Sequence, residues 1–111
     1  MRDLNVETLV AGGTTQGTAT AIPAGWSPCY LSSAGDSLNG IRLPPASKGR
    51  VFYIKNTGPL GGLGGLNVYP ATGDFINSLA INTAISMLAR TSAMFICTNS
   101  TTWETVPNVP S

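Results

Sequence analysis

Apolar and polar positions alternate in short runs, interrupted by Gly, Pro or Asn at intervals of about ten residues. The clearest run is RVFYIKN at residues 50–56. Strict alternation there puts Val51, Tyr53 and Lys55 on one face of a strand and Phe52 and Ile54 on the other. Residues 6–10, 14–22, 28–31, 39–43, 66–69, 94–98 and 102–106 have the same character, rich in Val, Ile, Thr, Tyr, Phe and Trp. The last two runs are joined by the polar turn Asn99-Ser100-Thr101 and read as a hairpin. Pro44-Pro45 ends the run before it, because proline cannot donate to a ladder. Residues 74–90 (DFINSLAINTAISMLAR) hold no Pro or Gly and read two ways. Asp74 could cap a helix with Ile76, Ala80, Thr83 and Met87 on one stripe, or Asn82-Thr83 could be the turn between two strands. No internal sequence repeat is visible, and residues 106–111 (VPNVPS) read as an extended tail.

These elements predict an all-β protein: a jelly-roll-like β-sandwich of about eight short antiparallel strands with no long helix. It is expected to form a single domain over residues 1–111, with residues 1–10 as a possible N-terminal arm. A chain of 111 residues is long enough to enclose one core without staples.

Composition narrows the function. Charged residues make up 10% of the chain, against about 25% in average chains. The polar surface must therefore come from Thr, Ser, Asn and Gly. A net charge of +1 without any block of like charge leaves no electrostatic footprint for nucleic acid or for an anionic membrane surface. No apolar run approaches the ~20 residues of a membrane-spanning helix, and the start MRDLNVETLV does not read as a secretion signal.

Candidate chemistry is sparse. The chain has no histidine, which removes the commonest general base and the commonest metal ligand. Cys29 and Cys97 lie in apolar runs without zinc spacing and read as buried free thiols. The glycines at 61, 62, 64 and 65 fit neither phosphate-loop register and read as a loop. Asp36 and Asp74 sit in turn contexts, where a carboxylate accepts backbone N–H groups. No catalytic, cofactor or metal residues are assigned, and the chain is not expected to be an enzyme. Trp26 and Trp103 fit either a sugar-stacking platform or core and interface anchors.

Residues 42–106 resemble a module of tailed-bacteriophage virion proteins. The resemblance is carried by RLPPASKGRVFYIKNTG, then LNVYPATGDFINSLAINTAI, then MFICTNSTTWETV, and most specifically by residues 66–77. Together with its length and Thr-rich first third, the whole chain resembles the small capsid decoration, or staple, proteins of epsilon-15-like short-tailed bacteriophages. That family implies a jelly-roll-like domain on the outer surface of an icosahedral head, assembled in the host cytoplasm, with the major capsid protein as partner. It also implies strands and a turn across residues 74–90. The glycine loop at 59–66 is longer than the family pattern. Dimeric self-association is expected, since a symmetric pair bridges neighbouring capsid subunits most simply. Contact candidates are Leu4, Val6, Trp26, Trp103, Val106 and Val109. The alternative is a carbohydrate-binding or tail-associated virion module.

Overall fold

The computed structural model describes residues 5–35, 39–58 and 64–109. Ten strands appear in order: β1 Asn5–Thr8, β2 Thr20–Ala21, β3 Cys29–Ser33, β4 Asn39–Arg42, β5 Val51–Asn56, β6 Leu66–Tyr69, β7 Phe75–Ile76, β8 Ile85–Met87, β9 Ser92–Cys97 and β10 Thr102–Val106. A single 3₁₀ turn, Ala24–Trp26, precedes β3, and no α-helix occurs among the described residues. The protein is all-β. Its strands form a six-stranded sheet, β1-β3-β5-β9-β10-β7, and a four-stranded sheet, β2-β4-β6-β8.

The burial pattern of each strand follows from its alternation. In β5 and β9 every second residue is buried. Phe52, Ile54, Phe95 and Trp103 of the larger sheet share one apolar cluster with Ile41, Leu66, Val68 and Met87 of the smaller. The two sheets thus enclose a common core, and the outer face of each remains wet.

The pairings correct the antiparallel expectation. From β1 to β6 successive strands alternate between the sheets, and each lies parallel to the strand two before it: β1 with β3, β3 with β5, β2 with β4, β4 with β6. Asn5, Cys29 and Phe52 therefore stand side by side in successive turns of a flattened coil. Parallel neighbours cannot be joined by a tight turn. Here the return path runs through the opposite sheet rather than through a helix. The second half reverses. β8 runs antiparallel to β6, β9 to β5 and β10 to β9, while β7 lies parallel to β10 at the far edge.

Local chemistry explains where expected strands shorten. The run at 14–22 becomes a turn followed by the two residues of β2. The Thr15 and Thr18 hydroxyls bond each other at 2.7 Å, and the Thr18 and Ala19 amides both donate to the Thr15 carbonyl. Hydroxyls so used draw the backbone out of a ladder. Residues 74–90 hold two short strands, β7 and β8, in different sheets, and not a helix. Asn82 lies at φ 64° in a turn closed by the Thr83 amide donating to the Ala80 carbonyl, a position that suits Asn. Its Oδ1 accepts the Gly73 amide at 2.7 Å. The hairpin of β9 and β10 is formed as expected, with Asn99 Oδ1 accepting the Thr101 amide at 2.9 Å.

In the larger sheet the coil's last strand ends at Asn56, the last residue of β5, which is fully buried. Its Oδ1 accepts the amides of Gly35 and Gly58, each at 2.9 Å. Its Nδ2 donates to the carbonyls of Gly64 at 2.7 Å and Met87 at 2.9 Å. The backbone closes tightly around this amide. A Cβ on Gly35 would stand 2.6 Å from the Gly65 carbonyl oxygen, and one on Gly58 would strike the Gly35 carbonyl.

Replacing Asn56 by Ala strands two buried amides and two carbonyls, each costing about 1–3 kcal/mol when left unpaired. Asn56→Ala is expected to lower unfolding free energy by about 3 kcal/mol or more, measured by urea denaturation. A loss below about 1 kcal/mol would show that the clamp is dispensable.

Candidate functional site

No group of three or more His, Cys, Asp or Glu side chains is placed to hold a metal among the described residues. Asp74 is buried, and its Oδ2 accepts the Ala46 amide at 2.8 Å, so it braces the loop before β5. Arg42 is similarly committed, with Nη1 donating to the Gln16 carbonyl at 2.8 Å. Asp36 and the glycines at 61 and 62 lie outside the described residues.

The conspicuous surface feature is on the outer face of the six-stranded sheet. Register places Val6 beside Tyr30, Tyr30 beside Tyr53, Tyr53 beside Met94 and Met94 beside Val106. Five apolar or aromatic side chains thus form one row across five strands, about 19 Å long at ~4.8 Å per strand. The neighbours of Tyr30, Tyr53 and Met94 along their strands, Cys29, Leu31, Phe52, Ile54, Ala93 and Phe95, fill the core, so alternation turns the row outward. Val6 is 73% exposed, Val106 58%, Tyr53 41% and Tyr30 39%. A polar row, Thr8, Ser32, Lys55 and Ser92, flanks it on one side. Val51, Ile96 and Glu104 flank it on the other. Val106 and Pro107 wall a shallow groove of about 490 Å³ beside Tyr53 and Met94. Aromatic residues and Met are enriched at the centres of protein interfaces.

The expected contact residues divide. Val6 and Val106 end the row, and Val109 is exposed on the tail. Leu4 lies outside the described residues. Trp26 is half-buried and packs against the core from its 3₁₀ turn. Trp103 is corrected: it is fully enclosed, with its ring centroid 6.0 Å from that of Phe52. It presents no surface to a sugar or a partner, because its position in β10 is an inward one. Its Nε1 has no hydrogen-bond partner among the described residues. Tyr30, Tyr53 and Met94 were not among the expected contacts. A signal for Tyr53 was present, since it shares a strand face with Lys55, and a lysine marks the wet face.

A scan against models of known protein families finds no match, and a search of curated proteins likewise returns none.

Cys29 and Cys97 are free and buried, as the apolar runs around them suggested. Burial pushes both thiols above their ordinary value of 9.0. The nearby Glu7 charge adds to the rise at Cys29. The folded protein keeps these protons where the unfolded chain loses them, so the unfolded chain gains as pH rises past the ordinary thiol value. Stability is expected to hold below about pH 8 and to fall as pH climbs through 9. Urea midpoints recorded from pH 7 to 10 check this, with a Cys29→Ala/Cys97→Ala variant showing a flatter decline. A wild-type curve no steeper than the variant's would refute the assignment.

Proposed function

We propose that this chain is a structural virion protein that decorates the outer surface of an icosahedral phage capsid and clamps neighbouring major capsid protein subunits. The observation that carries the reading is the apolar row Val6–Tyr30–Tyr53–Met94–Val106 on the wet face of the larger sheet. The resemblance of residues 42–106 to phage virion modules supplies the partner. In this reading the two-sheet body corresponds to the jelly-roll-like domain that the resemblance implies. The work is done by surface shape, without catalysis or a cofactor. Self-association as a dimer belongs to the same proposal, because β1 is a sheet edge whose one charged residue is Glu7.

An interface centred on this row rests on apolar burial, with Lys55 and Glu104 as its flanking charges. Exposed ion pairs contribute about 0–1 kcal/mol and are screened at high salt. Purified protein added to undecorated heads of an epsilon-15-like phage is expected to co-sediment in low salt and equally in about 1 M salt. A Tyr30→Asp/Tyr53→Asp variant, folded by circular dichroism, is expected to bind at least about 30-fold more weakly, as loss of a buried aromatic anchor costs about 2 kcal/mol. Release of the wild type by salt, or full binding by the variant, would overturn this use of the row. Failure to bind heads together with retention on host polysaccharide would favour the carbohydrate-binding reading.

A further inference from the structure

A second recess lies beside the β10 end of the apolar row. It is a cleft of about 520 Å³ at the side of the sandwich. The β7–β8 connection contributes Ser78 and Leu79, β8 contributes Ile85, β10 contributes Glu104, and the C-terminal tail contributes Asn108 and Val109.

Five polar residues line it, and two of them, Asn77 and Ser86, are already engaged. Asn77 exchanges two bonds with Thr105, at 2.8 and 2.9 Å, and the Ser86 hydroxyl donates to Asn67 Oδ1 at 3.0 Å. In the cleft, the Glu104 carboxylate, the Ser78 hydroxyl and the Asn108 side-chain amide have no hydrogen-bond or ion-pair partner among the described residues. Among the described residues, no Lys or Arg lines the cleft. The walls are aliphatic. Leu79 is 39% exposed and Val109 77%, while Ile85 is half-buried with its inner side against the core.

A carboxylate is an acceptor alone and carries a full charge, so its complement is a cationic donor. Ser78 and Asn108 offer further oxygen acceptors at the rim. Three aliphatic side chains match the methylene stem that Lys and Arg lay along apolar surface while the charged head reaches a polar group. We infer that this cleft is a receptor for one basic side chain, Lys or Arg, presented by a partner polypeptide. Its cationic head pairs with Glu104, and its stem packs between Leu79, Ile85 and Val109. The inference is independent of the capsid reading, since any partner with a protruding basic residue satisfies it.

The test uses the full-length protein in solution, followed by methyl and amide NMR during titration with N-acetyl-arginine amide. Its neutral isostere, N-acetyl-citrulline amide, and a neutral methyl glucoside are titrated in parallel. Saturable shifts are expected at the Leu79 and Ile85 methyls with the arginine compound, at least about five-fold weaker with citrulline and absent with the glucoside. Glu104→Gln, a near-isosteric change outside the core, is expected to weaken arginine binding to the citrulline level while leaving the rest of the spectrum in place. Leu79→Ser is a second variant, which removes the stem contact while keeping the charge, and it is expected to weaken binding of both amides. Absence of shifts at Leu79 and Ile85, equal binding of citrulline or glucoside, or binding unchanged by Glu104→Gln would each overturn the inference.

Discussion

The side chain of Asn56 sits where the architecture changes direction. Up to β5 and β6 the chain winds as a parallel coil, and after them it runs back antiparallel. A reversal inside a two-sheet body leaves backbone amides and carbonyls facing the core with no strand to pair them. Asn56 meets that demand with four bonds that reach the loop after β3, both flanks of the β5–β6 connection and the end of β8. An amide is suited to the position, because it offers two donors and two acceptor lone pairs in one plane. Aspartate would supply the acceptors but not the donors, and would bring a buried charge. The glycines at 35 and 58 follow from the same clamp, since the loops must approach each other at backbone distance to reach one side chain.

Strand identity was legible in the sequence where alternation was strict. Residues 66–69 and 102–106 are strands at their expected limits, and the inward set Phe52 and Ile54 was visible from RVFYIKN. Pairing direction was not legible. Short strands without helices suggested antiparallel neighbours, because the usual parallel crossover is a helix. A crossover through a facing sheet leaves no helical signature, and successive turns of the coil share no repeated motif. They need only share the inward apolar positions, such as Cys29 beside Phe52 and Ile41 beside Val68. The Thr15–Thr18 turn escaped for a related reason, since threonine serves a strand and a hydroxyl-bonded turn equally well.

The candidate surface was legible in part. Val6 and Val106 were marked as contacts, but the three residues between them come from strands far apart in the chain, and only register joins them. Trp103 failed in the opposite sense. Its type suggested recognition, whereas parity along β10 decided its side: Trp103 and Thr105 point inward, and Glu104 and Val106 outward. A one-residue shift of that strand would have exchanged the two sets.

The dimensions of the row also bear on how such a protein would act. A face about 19 Å long and three rows deep covers roughly 400 Å², about half of what one partner contributes to a standard stable interface. A contact of that size is weak when made once. It becomes effective where the partner is rigid and repeated, because linked contacts raise effective concentration without adding area. The six-stranded sheet suits this use. It holds the row on backbone ladders rather than loops, so little ordering entropy is lost on contact. The recess beside Glu104 and the exposed tail residue Val109 lie next to the row's β10 end. A partner that engaged the row from that end would also meet the apolar area of Leu79 and Val109. A contact made over the row would then bury most apolar surface at its β10 end rather than at the β1 end, where Asn5 and Glu7 flank Val6.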